Sequence, residues 1–171
     1  MAAPNVIDCS RLLCQDVIQM ARGAKQIPLV LKDGGAVLWQ PLGARTPLWE
    51  PSAHNEPEAT RVNISFAPTQ EVLEELRVFD EWSVDTLSSE RARLFVTTLD
   101  REEVKRRYQS ALKVQEKTGA TSFRCKLNLA GRSAVECWDT FRNLRSQPES
   151  WTNCAVNPRI LLKGYWCMGK E

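Results

Sequence analysis

Two stretches of this chain alternate apolar and polar residues without a slip. Arg61–Phe66 sets Val62, Ile64 and Phe66 against Arg61, Asn63 and Ser65. Ser122–Leu129 sets Phe123, Cys125, Leu127 and Leu129 against Ser122, Arg124, Lys126 and Asn128. A period of two puts one face of each strand in a core and the other in water. Ile27–Leu31, then Lys32-Asp33-Gly34-Gly35, then Ala36–Gln40 is the pattern of a β-hairpin, with Asp-Gly supplying the positive φ of a tight turn. Residues from about Val156 to Trp166 read as a last strand, with Ile160, Leu162 and Trp166 inward and Arg159, Leu161, Lys163 and Tyr165 outward. After the turn Ala130–Ser133, Ala134–Asp139 is expected to return as the partner of the 122–129 strand. That pairing would make Cys125 and Cys137 cross-strand neighbours.

Elsewhere the spacing is helical. Residues 9–22 suit a short amphipathic helix with Asp8 as N-cap and Leu13, Val17, Met20 and Ala21 on one side. Pro68-Thr69 opens a longer helix, with Val72, Leu73, Leu76 and Phe79 in one stripe and Glu71, Glu74, Glu75 and Glu81 on a solvated face. Arg93–Leu99 is apolar and β-branched, which predicts a strand. Asp100 then caps a further helix, with Glu103 placed as in a capping box, burying Val104, Tyr108, Ala111 and Leu112 and ending at Thr118-Gly119. Pro41, Gly43, Pro47, Pro51 and Pro57 mark irregular loop. The organisation expected is a helix-plus-hairpin arm over 1–40, a proline-rich loop over 41–60 and an α+β domain over 61–171 on a mostly antiparallel sheet.

At 171 residues with 43% hydrophobic and 26% charged residues, the chain can bury a core without help from a metal or disulfide. No apolar run approaches a membrane span, and Met1–Asp8 lacks the pattern of a secretion signal, so the expected compartment is the cytoplasm or nucleus, with no membrane partner. Six cysteines without a C-x-x-C pair read as reduced, mostly buried thiols, and neither a metal nor another cofactor is expected. A zinc or redox role for Cys125, Cys137, Cys154 and Cys167 is the minor alternative. The phosphate loop, nucleophile elbow, zinc-protease motif and dinucleotide fingerprint are all missing, and His54 is the single histidine. The chain is therefore expected not to be an enzyme, and Glu136 and Asp139 to be surface carboxylates rather than magnesium ligands.

Charge changes the picture. Residues 101–171 hold fourteen Lys and Arg against seven acids, about +7, whereas residues 1–100 hold nine against fourteen, about −5. Phe123, Trp138, Phe141, Trp151, Tyr165 and Trp166 are spaced among those late cations. Cations meet phosphates and rings stack on bases, so this half has the composition of a nucleic-acid surface. If the two late strands share a sheet, Arg124, Lys126, Arg159, Lys163 and Tyr165 occupy one outer face free of acids. Trp166 alternates with Ile160 and Leu162 and is expected in the core.

The runs Phe79–Trp82, Leu99–Tyr108, Phe123–Leu127, Cys137–Asp139, Pro148–Trp151 and Pro158–Trp166 resemble, in order, a pattern of single-stranded-DNA-binding proteins of large DNA viruses and some protist genomes. The resemblance covers about residues 61–171. It implies an elaborated OB barrel that coats single strands in DNA replication, with Phe123–Leu127 and Arg159–Trp166 lining the groove. The pattern continues past Met168–Glu171 with a Phe-Gly-like turn and one more strand. The resemblance thus implies a truncated chain with an open sheet edge suited to homo-oligomer formation.

The function expected is non-catalytic, sequence-tolerant binding of single-stranded nucleic acid. Arg124, Lys126, Arg132, Arg159 and Lys163 would contact phosphates, and Tyr165, Trp138 and Trp151 would stack. The alternative is a structural or protein-interaction domain whose basic half docks on an acidic surface.

Overall fold

The computed structural model describes residues 5–51, 59–95 and 99–167. Its elements in chain order begin with β1 (Leu12–Cys14), β2 (Ile18–Gln19), β3 (Lys25–Leu31), β4 (Val37–Trp39) and β5 (Arg61–Phe66). Three helices follow: α1 (Gln70–Ser89), α2 (Arg91–Leu94) and α3 (Arg101–Arg107). The remaining strands are β6 (Leu112–Val114), β7 (Thr121–Asn128), β8 (Cys137–Trp138), β9 (Leu144–Arg145), β10 (Ile160–Leu162) and β11 (Gly164–Cys167). All strand pairs are antiparallel. The chain is α+β as expected, but among the described residues the strands form four separate sheets and none closes into a barrel, so the OB-like barrel is overturned. Among the described residues no helix is long and apolar enough to cross a membrane.

The described residues divide into two units, the first drawn from 42–51, 59–73 and 111–158 and the second from 5–41, 74–95, 99–110 and 159–167.

The first unit is organised by the sheet β5-β7-β6. Val62, Ile64 and Phe66 lie opposite Leu127, Cys125 and Phe123, and Phe66 stacks on Phe123 with ring centroids 5.3 Å apart. Phe123 is fully enclosed, as the alternation of both strands demands. Arg45 lies over its ring, 5.7 Å from the centroid, and is itself buried. Its guanidinium donates to the carbonyls of Leu42 (2.8 Å) and Ala67 (3.1 Å), which is how a charge is kept inside this core.

In the second unit β3 lies between β1 and β11, with β2 also on β3, and β4 pairs with β10. Residues 5–40 of the segment expected as an arm lie within this unit. The Asp33-Gly34 turn forms as expected, with Gly34 at φ 87° and its N–H donating to the Leu31 carbonyl at 2.8 Å. Beyond the turn the strands part, and only Val30 bridges to Ala36. The helix expected over 9–22 is absent. Asp8 caps a single 3-10 turn instead, and Leu12 and Cys14 are buried on either side of exposed Leu13 because β1 pairs with Leu29–Leu31. The helix opened by Thr69 runs on to Ser89, burying Val72, Leu76, Val84 and Leu87. Two of the four acids expected on its solvated face are engaged: Glu75 accepts from the Ile7 N–H, and Glu81 pairs with Arg101. Asp100 caps α3 by accepting from the Glu103 N–H at 2.8 Å, but α3 ends at Arg107 and Leu112 already belongs to β6. Of the strand expected at 93–99, Arg93 and Leu94 are helical, and 96–98 lie outside the described residues.

Candidate nucleic-acid interface

The outer face of the β5-β7-β6 sheet follows from register. Arg61 lies opposite Asn128, Asn63 opposite Lys126, and Ser65 opposite Arg124; on the other side Lys113 lies opposite Ser122. Cross-strand partners share a face, so Arg61, Lys113, Arg124 and Lys126 stand on one side of this sheet with no acid on the three strands. Arg61, Arg124 and Lys126 are exposed and Lys113 half-buried, while Ser65 is closed off from solvent. Among the described residues none of these four cations has a carboxylate partner. Arg61 and Lys113 were missed in the sequence because pairing, not composition, brings them beside Arg124 and Lys126.

The late cations otherwise divide. Arg101 is held by Asp85 (2.7 Å) and Glu81 (2.8 Å) of α1, and Arg106 and Arg107 both pair with Glu103 within α3, so these cations of α3 are already engaged by carboxylates. Arg145 is tied to Asp139 at 2.7 Å. Among the described residues of the first unit nine cations face six acids, a smaller surplus than that of residues 101–171.

The strands expected to form one face belong to different sheets. β7 lies between β5 and β6, whereas β10 pairs with β4 and β11 with β3. Arg159 and Lys163 are exposed beside β10 in the second unit, flanking exposed Leu161. Tyr165 is turned inward, its hydroxyl donating to Ser83 Oγ at 2.8 Å, and burial pushes its pKa well above the usual phenol range. Trp166, expected in the core, is 50% exposed. Gly164 causes this exchange: at φ 129° it interrupts the alternation between β10 and β11, so every side chain after it changes face.

Ala134–Asp139 does not pair with β7. Instead β8 pairs with β9, setting Cys137 opposite Arg145 and Trp138 opposite Leu144, while Cys125 faces Ile64 across the sheet. Asp139 fixes the tip of this hairpin. Its carboxylate accepts from the Phe141 and Asn143 backbone N–H groups, both at 2.9 Å, from Asn143 Nδ2, and from the Arg145 guanidinium. These bonds hold its pKa down at about 2. Asn128, at the end of β7, donates to the Ser133 carbonyl and accepts from the Val135 N–H, which ties the approach to the hairpin to the cationic strand. Arg132 is exposed in the turn between them. Trp151 is half-buried, in a 3-10 turn whose backbone is held by Glu50.

The cysteines are free thiols, and burial raises Cys14 to about 11 and Cys125 to about 12. Among the described residues no group of three or more His, Cys, Asp or Glu is placed to hold a metal ion.

Comparison with protein families, curated proteins and solved structures finds no match, so the expected kinship with viral single-stranded-DNA-binding proteins, and the DNA-replication role inferred from it, are withdrawn together with the barrel.

Proposed function

We propose that this chain binds single-stranded nucleic acid without catalysis, through the outer face of β5-β7-β6. One observation carries the reading: four cations, Arg61, Lys113, Arg124 and Lys126, share a sheet face whose three strands contribute no acid. An ordinary wet sheet face mixes both signs, and a row of unpaired cations is suited to a phosphate backbone. The phosphate backbone is common to DNA and RNA, and the proposed compartment is the cytoplasm or nucleus, where free thiols stay reduced.

Fluorescence anisotropy with labelled single-stranded and duplex oligonucleotides at two salt concentrations tests it. Tighter binding to the single strand, weakening steeply with salt, is the expected result. A folded sample that binds neither at low salt would overturn the reading.

A further inference from the structure

The cationic sheet face carries no exposed ring, because Phe66 and Phe123 both point into the core. Bound by that face alone, a strand would be held through its phosphates, with no surface on which its bases could stack. The β8–β9 hairpin of the same unit presents what the sheet lacks. Trp138 is 58% exposed, Phe141 84% and Leu144 60%; Trp138 and Leu144 are cross-strand partners, and Phe141 lies in the turn between their strands. Exposed aromatics are costly to leave in water, and a cluster of them marks a contact surface.

We infer that this hairpin is a base-stacking finger, in which Trp138 and Phe141 receive unpaired bases while the neighbouring sheet face holds the phosphates. Three features favour bases as the occupant. The finger is preorganised, since Asp139 bonds both Phe141 and Asn143 and so fixes the turn carrying the ring. Arg142 at the tip takes φ 67°, is exposed, and has no carboxylate partner among the described residues, so a cation stands next to Phe141. The chain also reaches the hairpin directly from the strand bearing Arg124 and Lys126, through Asn128 and its two bonds to residues 133 and 135. Of the carboxylates beside the rings, Asp139 is committed to the turn and to Arg145, and Glu136 accepts from the Trp138 indole N–H at 3.3 Å, occupying the ring's edge donor.

The inference rests on the proposed function, and the test separates the two. Anisotropy is measured with a labelled oligothymidylate and with a strand of equal length made wholly of abasic sites, for the unmodified chain and for Trp138→Leu/Phe141→Ala. Stacking of one or two bases predicts that the double variant loses about tenfold affinity for oligothymidylate and little for the abasic strand. The unmodified chain should show the same loss on passing to the abasic strand. The slope of affinity against salt should not change, because stacked rings release no counterions. Phe141→Ala alone, at a largely solvent-exposed position, repeats the test should the double variant unfold. Undiminished binding of oligothymidylate by the variants overturns the finger and leaves the sheet-face reading standing. Failure of the unmodified chain to bind either strand overturns both. Capture on anionic phospholipid vesicles that is lost with the rings, while oligonucleotide binding persists, would show a membrane-seeking hairpin instead and also overturn the inference.

Discussion

A Cβ added to Gly164 would lie 2.1 Å from the carbonyl oxygen of Ile27. β11 therefore approaches β3 at a separation that only glycine permits, and it does so at φ 129°, a conformation that side chains rarely adopt. This contact decides which face of the last strand carries Tyr165 and which carries Trp166. Gly164→Ala should cost about 3 kcal/mol from strain and displaced backbone, lowering Tm by roughly 6–12 °C. It should also release the Tyr165 hydroxyl from Ser83, visible as a change in near-ultraviolet circular dichroism. A variant that melts with the unmodified chain would show that β11 can shift away from β3.

The strands that were legible in the sequence are those whose whole length keeps one period. Arg61–Phe66 and Ser122–Leu129 alternate without interruption, and both appear where expected. Val156–Trp166 misled because one glycine resets the alternation midway. The signal was present, since a glycine inside a strand pattern marks a bulge or close approach, but Lys163-Gly164 was read as a continuation. Pairing partners were not legible at all. Nothing local indicates that β4 leaves β3 for β10, or that β8 turns to β9 rather than back to β7, because long-range packing decides both. The site is legible in part accordingly: Arg124 and Lys126 follow from the alternation of β7, their neighbours Arg61 and Lys113 follow only from pairing, and Arg159 and Lys163 flank β10 while Tyr165 lies on β11.

Arg45 makes a second structural prediction. Buried over Phe123, it is the hydrogen-bond partner of the Leu42 and Ala67 carbonyls. Arg45→Met keeps much of the volume but strands both acceptors, so it should destabilise by about 2–4 kcal/mol. Urea unfolding followed by tryptophan fluorescence should show the midpoint falling at constant m-value. An unchanged midpoint would mean that water satisfies those carbonyls.

The pH response should come from two carboxylates. Glu50 accepts from the Ser150 and Thr152 hydroxyls and the Trp151 and Thr152 N–H groups, which lowers its pKa to about 2; Asp139 is lowered to about 2 by the hairpin turn. Folded pKa values below the unfolded ones mean the contribution is full above the ordinary carboxylate range and lost as pH falls through the folded values. Both segments should therefore hold at pH 5 and loosen between about pH 4 and pH 2. Amide exchange at Phe141, Asn143 and Thr152 reports this directly. Asp139→Asn should weaken protection at the first two already at pH 5 and flatten their pH dependence. Protection that is independent of pH would contradict the assignment.

Thiol reactivity should follow burial. Cys14 and Cys125, raised to about 11 and about 12, hold almost no thiolate at pH 8; Cys14 is buried, and Cys125 is half-buried on the core face of β7. Iodoacetamide under native conditions should modify Cys9, Cys137, Cys154 and Cys167 before either, as read by peptide mass spectrometry. Early labelling of Cys125 would mean that β5 and β7 open readily, since its sulfur lies on the core face opposite Ile64.

The separation of the late cations into two sheets gives the sharpest prediction about binding. If the β5-β7-β6 face holds the phosphates, Arg124→Glu/Lys126→Glu should weaken single-strand binding at least tenfold at low salt. It should also lower the slope of log affinity against log salt by about 1.4, the loss of two neutralised phosphates. Both residues are exposed, so the melting temperature should change little. Arg159→Glu/Lys163→Glu makes the same change in net charge on another sheet. It serves as the control for long-range attraction, which acts at a distance and is screened by salt. Equal losses in the two double variants would mean that net charge alone drives association and that the sheet face has no special role. A loss confined to Arg124 and Lys126, persisting at salt concentrations that erase the difference made by Arg159 and Lys163, is what direct phosphate contact requires.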